Sequence, residues 1–289
     1  APHPGGIDGG ICCFSGGVDS SHTLACHEDE ISHLLVVQGF DTWGDKSDWE
    51  ENVKARMESA KVVGKKLIAV HSNVREFIEA RKIYWGLVLG SILGSLGATL
   101  APSVFFIPSS WTYQNLHPFG SHPLVDPQWS TESTRVVHHG ADVRRCQKVE
   151  LLSKHPELLD QLQVCWISCS HNCGECAKCI RTSLTLGLIG VQSANMPPYR
   201  EISQLKGLRP YNADSLPYIE DLMLACEDYD APEIWSKLDR MRRGFILKDS
   251  AMNFAKALTG TTGQRIYRKL RPQDWHGQRA NLLPIRSMY

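Results

Sequence analysis

Short apolar runs alternate with amphipathic stretches through the first two thirds of the chain. Residues 11–14, 33–37, 67–70 and 104–107 form brief, nearly unbroken apolar segments, the pattern of strands buried on both faces. Between them lie helix-like stretches. Residues 20–27 follow the first run, and residues 48–64 place Trp49, Val53, Met57 and Ala60 at helical spacing with Gly64 at the C-terminal cap. Residues 74–80 and 84–100 predict two more helices. In the second, Gly86, Gly90, Gly94 and Gly97 share one face and allow close backbone packing. Residues 135–140 predict a further strand with its exit turn. A helix over 143–155 follows, carrying Arg144, Arg145 and Lys148 near its start, and 162–169 reads as a last strand and its exit.

From Asn195-Met196-Pro197-Pro198 onward the character changes, and 216–229, 231–245 and 249–258 each show amphipathic helical spacing. The expectation is an α/β fold: a doubly wound, Rossmann-like parallel sheet over 1–194, then a helical C-terminal region over 195–289. In such sheets ligands sit at the carboxyl ends of the strands, beside the topological switch point.

The chain of 289 residues has equal numbers of acidic and basic side chains, 31 of each, so no global field attracts nucleic acid or acidic membranes. No apolar run is long enough to span a bilayer. The basic tail (Arg265, Arg268, Lys269, Arg271, Arg279, Arg286) reads as a solvated end rather than an RNA contact. The first residue is Ala, which points to a trimmed start, and no signal peptide is visible. Of ten cysteines, three form a Cys-x-x-Cys-x-x-Cys run that suits a metal better than a disulfide framework. Cys12, Cys13, Cys26 and Cys226 read as buried thiols, and a reducing cytoplasm is expected. A homodimer is left open.

The first apolar run leads into Phe14-Ser15-Gly16-Gly17-Val18-Asp19-Ser20. A strand, a Gly-Gly turn flanked by hydroxyls and a helix start make an anion cradle, because free backbone N–H groups and the positive end of the helix dipole point into the turn. Ser15 and Ser20 add hydroxyls, and Gly16 and Gly17 remove the Cβ atoms that would keep a phosphate out. The Walker A pattern is absent. Ser15 and Asp19 are expected to lie outside the core.

Ser-Gly-Gly-x-Asp-Ser resembles the pyrophosphate loop of the N-type ATP pyrophosphatases, the adenine nucleotide alpha hydrolases. The resemblance implies that Ser15, Gly16, Gly17, Asp19 and Ser20 hold the ATP phosphates while a substrate oxygen attacks the α-phosphorus. It also implies that a lysine of a late helix approaches the phosphates, and Lys148 is the match. Basic residues at a helix start oppose the dipole; a bound phosphate or simple exposure would each account for them. The adenosine half is expected against Phe40 and neighbouring backbone. Asp41 is either part of that contact or a solvated charge or cap.

Two Cys-x-x-Cys steps share Cys176, so Cys173, Cys176 and Cys179 can converge on one ion. Cys165, Cys169 and, more weakly, His171 are candidates for a fourth ligand. The combination is similar to the 7-cyano-7-deazaguanine (preQ0) synthase family, which joins the same loop to a four-cysteine zinc site. In that family a lone cysteine lies about eight residues before the run, which favours Cys165 over Cys169. Zinc is preferred to an iron–sulfur cluster.

The resemblance covers roughly 10–186 and leaves the substrate region aside. There the loop 108–132, long enough to suggest function, centres on Gly-Ser-His-Pro-Leu-Val-Asp-Pro (120–127). His122, Asp126 and Glu132 are candidates for the substrate pocket, with His122 a proton carrier. The expected activity is ATP- and Mg²⁺-dependent adenylation of a carbonyl or carboxylate oxygen of a small molecule. Attack by ammonia or an amine follows, with the zinc structural. Rival expectations are a sulfur-transfer enzyme using a persulfide on Cys146 or a cluster thiol, and a non-catalytic zinc-stabilised nucleotide sensor.

Overall fold

The apolar runs are strands of one sheet: β1 (Gly10–Cys13), β2 (Ile31–Val37), β3 (Lys66–Val70), β4 (Val104–Pro108) and β5 (Arg135–His139). In the computed structural model, which describes residues 6–40, 46–168, 170–210 and 212–270, every pairing is parallel and the order is β3-β2-β1-β4-β5. The chain moves outward from β1 through β2 to β3, then returns to add β4 and β5 on the other side. The switch point therefore lies between β1 and β4, and the residues following these two strands face it.

Alternation within the strands sends side chains to two cores. Ile11, Leu35, Phe105 and Ile107 point to one face, against Leu89, Leu93, Leu96 and Leu100 of helix α4 (Trp85–Leu100). Cys12, Leu34 and Phe106 point to the other. There they meet Val18 and Leu24 of α1 (Val18–Cys26), Ala60 of α2 (Lys46–Val62), and Val149 and Leu152 of α5 (Arg145–Leu152). Phe105 and Phe106 are both fully buried, each contributing roughly 2–3 kcal/mol of apolar transfer energy. The doubly wound arrangement follows from this two-sided burial. Helix α3 (Val74–Ala80) precedes α4, and the short α6 (Pro156–Leu159) follows α5.

Helix α7 (Ala177–Leu188) joins two cores. Its Cys179 and Leu186 belong to the sheet-side core, while Ile180 and Leu184 pack with Leu205, Leu208, Ile219, Leu222 and Leu238. The last four include residues of α8 (Leu216–Asp228) and α9 (Pro232–Leu270), so the C-terminal helices share a core with α7.

Three expectations need correction. Residues 162–165 belong to no strand: their backbone groups bond elsewhere, as described below. The stretches 231–245 and 249–258 lie in one continuous helix, because Ile246-Leu247-Lys248 carries no breaker and Gly244 alone does not end a helix. Cys26 is exposed and Cys13 half-buried, whereas Cys12 and Cys226 are buried as expected. The described residues contain no helix long and apolar enough to cross a membrane. Asp41, Cys169 and the basic tail from Arg271 onward lie outside the described residues, as do the side chains of Arg265, Arg268 and Lys269.

The glycine face of α4 packs as its spacing predicts. A Cβ on Gly90 would overlap the Gly120 carbonyl, one on Gly94 the Trp129 ring, and one on Gly97 would come 3.1 Å from Phe105. Gly90→Ala therefore separates two effects of opposite sign. Helix propensity alone would stabilise by about 1 kcal/mol, but the obstruction is backbone and cannot rotate away. We expect a net loss of about 1–3 kcal/mol in urea unfolding. A gain would mean that the loop carrying Gly120 yields freely.

Candidate functional site

The turn after β1 is held open by glycine and an arginine. Gly16 has φ +77°, and a Cβ there would overlap the guanidinium of Arg56, which reaches in from α2 and donates to the Ser15 carbonyl at 2.7 Å. Gly17 caps α1 without a side-chain cap bond, leaving the helix start to backbone groups. Ser20 Oγ donates to the Gly17 carbonyl at 3.1 Å, and Ser15 Oγ accepts from Gly17 N at 3.3 Å and lies 3.4 Å from Ser20 Oγ. The two hydroxyls thus flank the glycines on the inner side of the turn. Uncapped amides at the positive end of α1 suit an oxyanion.

Across this turn stands a cluster of charges. Lys148 Nζ, almost wholly buried, donates to Asp19 Oδ1 at 2.8 Å and to the Ser109 carbonyl at 2.7 Å. Arg145 Nη1 donates to Asp19 Oδ2 at 3.1 Å, and its Nη2 to Thr182 Oγ1 at 3.4 Å. Asp19 follows β1, Ser109 follows β4 and Lys148 follows β5, so the cluster spans the switch point. Burial alone would push the Asp19 carboxyl up. Lys148, Arg145 and the Lys148 hydrogen bond overturn that and hold it well below the usual carboxylate range. As expected, Asp19 lies outside the buried core, with its side chain 21% exposed, yet it compensates an ammonium that is 3% exposed.

These pairs also explain why basic residues open α5. Asp19 compensates Arg145 and Lys148, and Asp228 of α8 accepts from Arg144 Nη2 at 2.6 Å. Carboxylates from α1 and α8 offset the unfavourable dipole, with no phosphate required.

Arg181, on α7, is 5% exposed, and its guanidinium lies 3.9 Å from the ring centroid of Tyr218. Its Nε and Nη1 have no hydrogen-bond partner. Burial first, then the neighbouring Arg145, lowers its pKa to about 10. Nothing in the local sequence distinguishes this arginine from a solvated one. Its position two residues after Cys179, on the helix that the cysteine run opens, is the one available signal.

The second constellation is the sulfur cluster. One sulfur from each of Cys165, Cys173, Cys176 and Cys179 lies within 4.8 Å of the others, and this four-cysteine cluster can hold a metal ion. The Cys176–Cys165 and Cys173–Cys179 separations are 4.0 and 3.9 Å. A tetrahedron with metal–sulfur bonds of about 2.3 Å has edges of about 3.8 Å, so the donors fit a zinc-sized ion. Backbone amides point at the sulfurs: Ile167 N and Ser168 N at Cys165, Glu175 N and Cys176 N at Cys173, and Cys179 N at Cys176, all at 3.3–3.5 Å. Such donors favour thiolates. Hydrogen bonds from Cys176 and Cys179 hold the Cys165 thiol far below its ordinary value, and the same contacts raise Cys176 and Cys179. His171 is not in the cluster; its Nδ1 meets Ser168 Oγ at 2.9 Å.

One asparagine ties the cluster to the turn. Asn172 Oδ1 accepts from Val164 N (2.9 Å) and Cys165 N (3.2 Å), and its Nδ2 donates to the Leu162 and Asn195 carbonyls, each at 2.8 Å. Gln163 N donates to the Gly16 carbonyl at 2.8 Å. The 162–165 backbone is therefore bonded to the glycine turn and to the cysteine loop instead of to a sheet neighbour.

The remaining candidates sit as follows. Phe40 lies edge-on to Trp85, with ring centroids 5.0 Å apart, just beyond the end of β2. Asp126 is fully buried and bonds within its own surroundings: it accepts from Ser121 Oγ (2.7 Å) and His122 N (3.3 Å), and pairs with His138 Nδ1 (2.7 Å). His122 Nδ1 accepts from Leu124 N at 3.1 Å, bracing the turn, and Glu132 is exposed. Cys146 is buried in α5, and burial pushes its thiol up to about 12.

Fold and site together define a parallel α/β protein with a glycine turn and a buried ion-pair cluster at its switch point, beside a four-cysteine cluster. Comparison with protein-family models gives no match, and comparison with curated proteins gives none either.

Acid should act on this region in two windows. His22 and His139 are held neutral, each with its pKa down to about 4, by burial first and then by neighbouring Lys148 (His22) and His27 (His139). The unfolded chain protonates near 6.5, so this stability is complete above that pH and lost as pH falls towards 4. Asp19, with its depressed pKa, adds a further loss below about pH 4. Urea midpoints against pH should fall in both windows. At pH 7 Asp19→Asn should lose about 1–3 kcal/mol, and this difference should shrink below about pH 4. A constant difference down to pH 2 would refute the ion-pair reading.

Proposed function

We propose that the chain is an ATP-dependent, AMP-forming enzyme. It adenylates a carbonyl or carboxylate oxygen of a small molecule, releases pyrophosphate, and admits ammonia or an amine to displace AMP. The observation that carries this reading is the buried Lys148 ammonium, delivered from α5 to the aspartate of the glycine turn at the switch point. The likeness of Ser15–Ser20 to the pyrophosphate loop of the N-type ATP pyrophosphatases supports the same reading.

In this reading the turn amides and the hydroxyls of Ser15 and Ser20 bind the pyrophosphate portion. Lys148 and Arg145 hold positive charge beside it, where negative charge grows as the α–β phosphate bond breaks. Mg²⁺, bound with the nucleotide, would supply further charge neutralisation. Asp19 keeps both cations fixed before substrate arrives, so their placement costs little during the reaction. Phe40 offers an apolar edge to the adenine.

The cysteine cluster is assigned to zinc in a structural role, because four thiolates around one ion leave no position for a substrate. Sulfur transfer through Cys146 is the weaker reading, since its buried thiol, with a pKa near 12, supplies little nucleophilic thiolate.

A carboxylate acceptor labelled with ¹⁸O should pass one label to AMP during turnover with ammonium. Lys148→Met should lower pyrophosphate release at least about 100-fold, the scale of a lost charge-stabilising donor, and Ser15→Ala by less. ATP bound with no pyrophosphate released across a panel of carboxylic acids would favour a sensor instead. Elemental analysis should find one zinc per chain. Cys176→Ser and Cys165→Ser should lose it and become insoluble or partly unfolded, since thiolate zinc sites contribute on the order of 10 kcal/mol to folding. Absorption near roughly 400 nm, the mark of an iron–sulfur cluster, would overturn the zinc assignment and bring sulfur transfer forward.

A further inference from the structure

Helices α5, α7 and α8 meet beside the glycine turn, and the polar groups at their junction are incompletely satisfied. Arg181 Nε and Nη1, Arg145 Nε, Arg144 Nη1 and Asp221 Oδ1 are all buried without a hydrogen-bond partner. No ion pair joins Asp221 to any of these arginines among the described residues, although burial raises its pKa and they oppose that shift. Buried polar atoms are nearly always bonded, so these five atoms leave donors and an acceptor free for a further partner at one junction.

The charges say what kind of partner. Arg144, Arg145, Lys148 and Arg181 face Asp19, Asp221 and Asp228, and Lys178 also acts on Asp19, so the cations outnumber the carboxylates. Arg181 is the cation left over: its contacts are the Tyr218 ring beneath it and no carboxylate. Tyr218 itself stacks on Trp111, from the loop after β4, at 5.0 Å and 21°. The junction thus combines two stacked aromatic rings, an excess of cations and one unused carboxylate oxygen.

We propose that this junction is a subsite for the acceptor molecule, in which Arg181 binds an oxyanion, carboxylate or phosphate, and Asp221 takes a hydrogen-bond donor of the same molecule. Resting on the adenylating function above, the assignment makes the acceptor a small anionic compound carrying an N–H or O–H group. It also gives the C-terminal region a part in the site, because Tyr218 and Asp221 both belong to α8. Arg181 is carried by the helix that contains Cys179 and is capped by Cys176, so the sulfur cluster fixes where the oxyanion binds.

The test uses the full chain saturated with α,β-methylene-ATP, titrated calorimetrically with inorganic phosphate and with acetate. At least one anion should bind the wild type. Arg181→Met should weaken that binding at least tenfold, Arg181→Lys should recover part of it, and Asp221→Asn should tighten it several-fold by removing a like charge. Analogue affinity should stay unchanged in all three. Three results would each overturn the proposal: no anion binding by the wild type, anion binding indifferent to both Arg181→Met and Asp221→Asn, or analogue affinity lost with Arg181. The last would place Arg181 in the nucleotide's own phosphate site. Should Arg181→Met fail to fold, the sign of the Asp221→Asn effect decides. If the wild type does not bind the analogue, the adenylating function fails. The same anion titrations on the ligand-free chain then still decide the subsite.

Discussion

The carboxylate of Asp19, held between Lys148 and Arg145, is the constraint on which this structure turns. Three segments that share no local pattern meet there: the turn after β1, the backbone after β4 and the helix after β5. Burying a side chain such as that of Lys148 is costly unless it is paired and hydrogen-bonded, and Asp19 and the Ser109 carbonyl supply those partners. The pair therefore closes the sheet's switch point and places positive charge at the mouth of the glycine turn in the same act. Stability and site geometry cannot be separated here.

The sulfur cluster extends this constraint. Residues 162–165 run between the glycine turn and the cysteine loop, bonded to Gly16 on one side and to Asn172 on the other. From the same cluster α7 starts, and along it Thr182 and Arg181 approach the ion pairs from the opposite side. A metal ion among the four sulfurs would hold the Cys165 segment against the first turn of α7, bracing both the segment bonded to Gly16 and the helix that carries Thr182. That arrangement would give an ion in the cluster a direct bearing on the turn.

Electrostatics in this chain are local rather than global. Equal numbers of acidic and basic residues leave no net field, yet four cations converge on one junction. Their mutual repulsion is offset by carboxylates drawn from α1 and α8, one of which remains unbonded. Low local polarity makes each of these pairings matter more than it would on the surface. Five of the buried polar atoms that lack a hydrogen-bond partner lie where helices α5, α7 and α8 meet.

Much of this was legible in the residues themselves. Apolar runs bounded by turns specify buried strands, and a strand leading into Ser-Gly-Gly-x-Asp-Ser specifies a glycine turn at a helix start, because both depend on neighbours within a few residues. Cys-x-x-Cys-x-x-Cys specifies converging sulfurs for the same reason, and the four glycines of α4 declare a close-packed face. Tertiary structure alone decided the rest. The run at 162–165 is as apolar as a strand, yet it leaves the sheet because Asn172 and Gly16 satisfy its backbone. Asp126, polar and in a loop, looked like a pocket residue, but Ser121, His122 and His138 take up its carboxylate. Arg181 reads in sequence as any helical arginine, but packing buries it over the Tyr218 ring and leaves its Nε and Nη1 without a hydrogen-bond partner. Local pattern encodes which face is buried. It does not encode which charge will meet which across 126 or 129 residues, since that depends on how the finished helices pack.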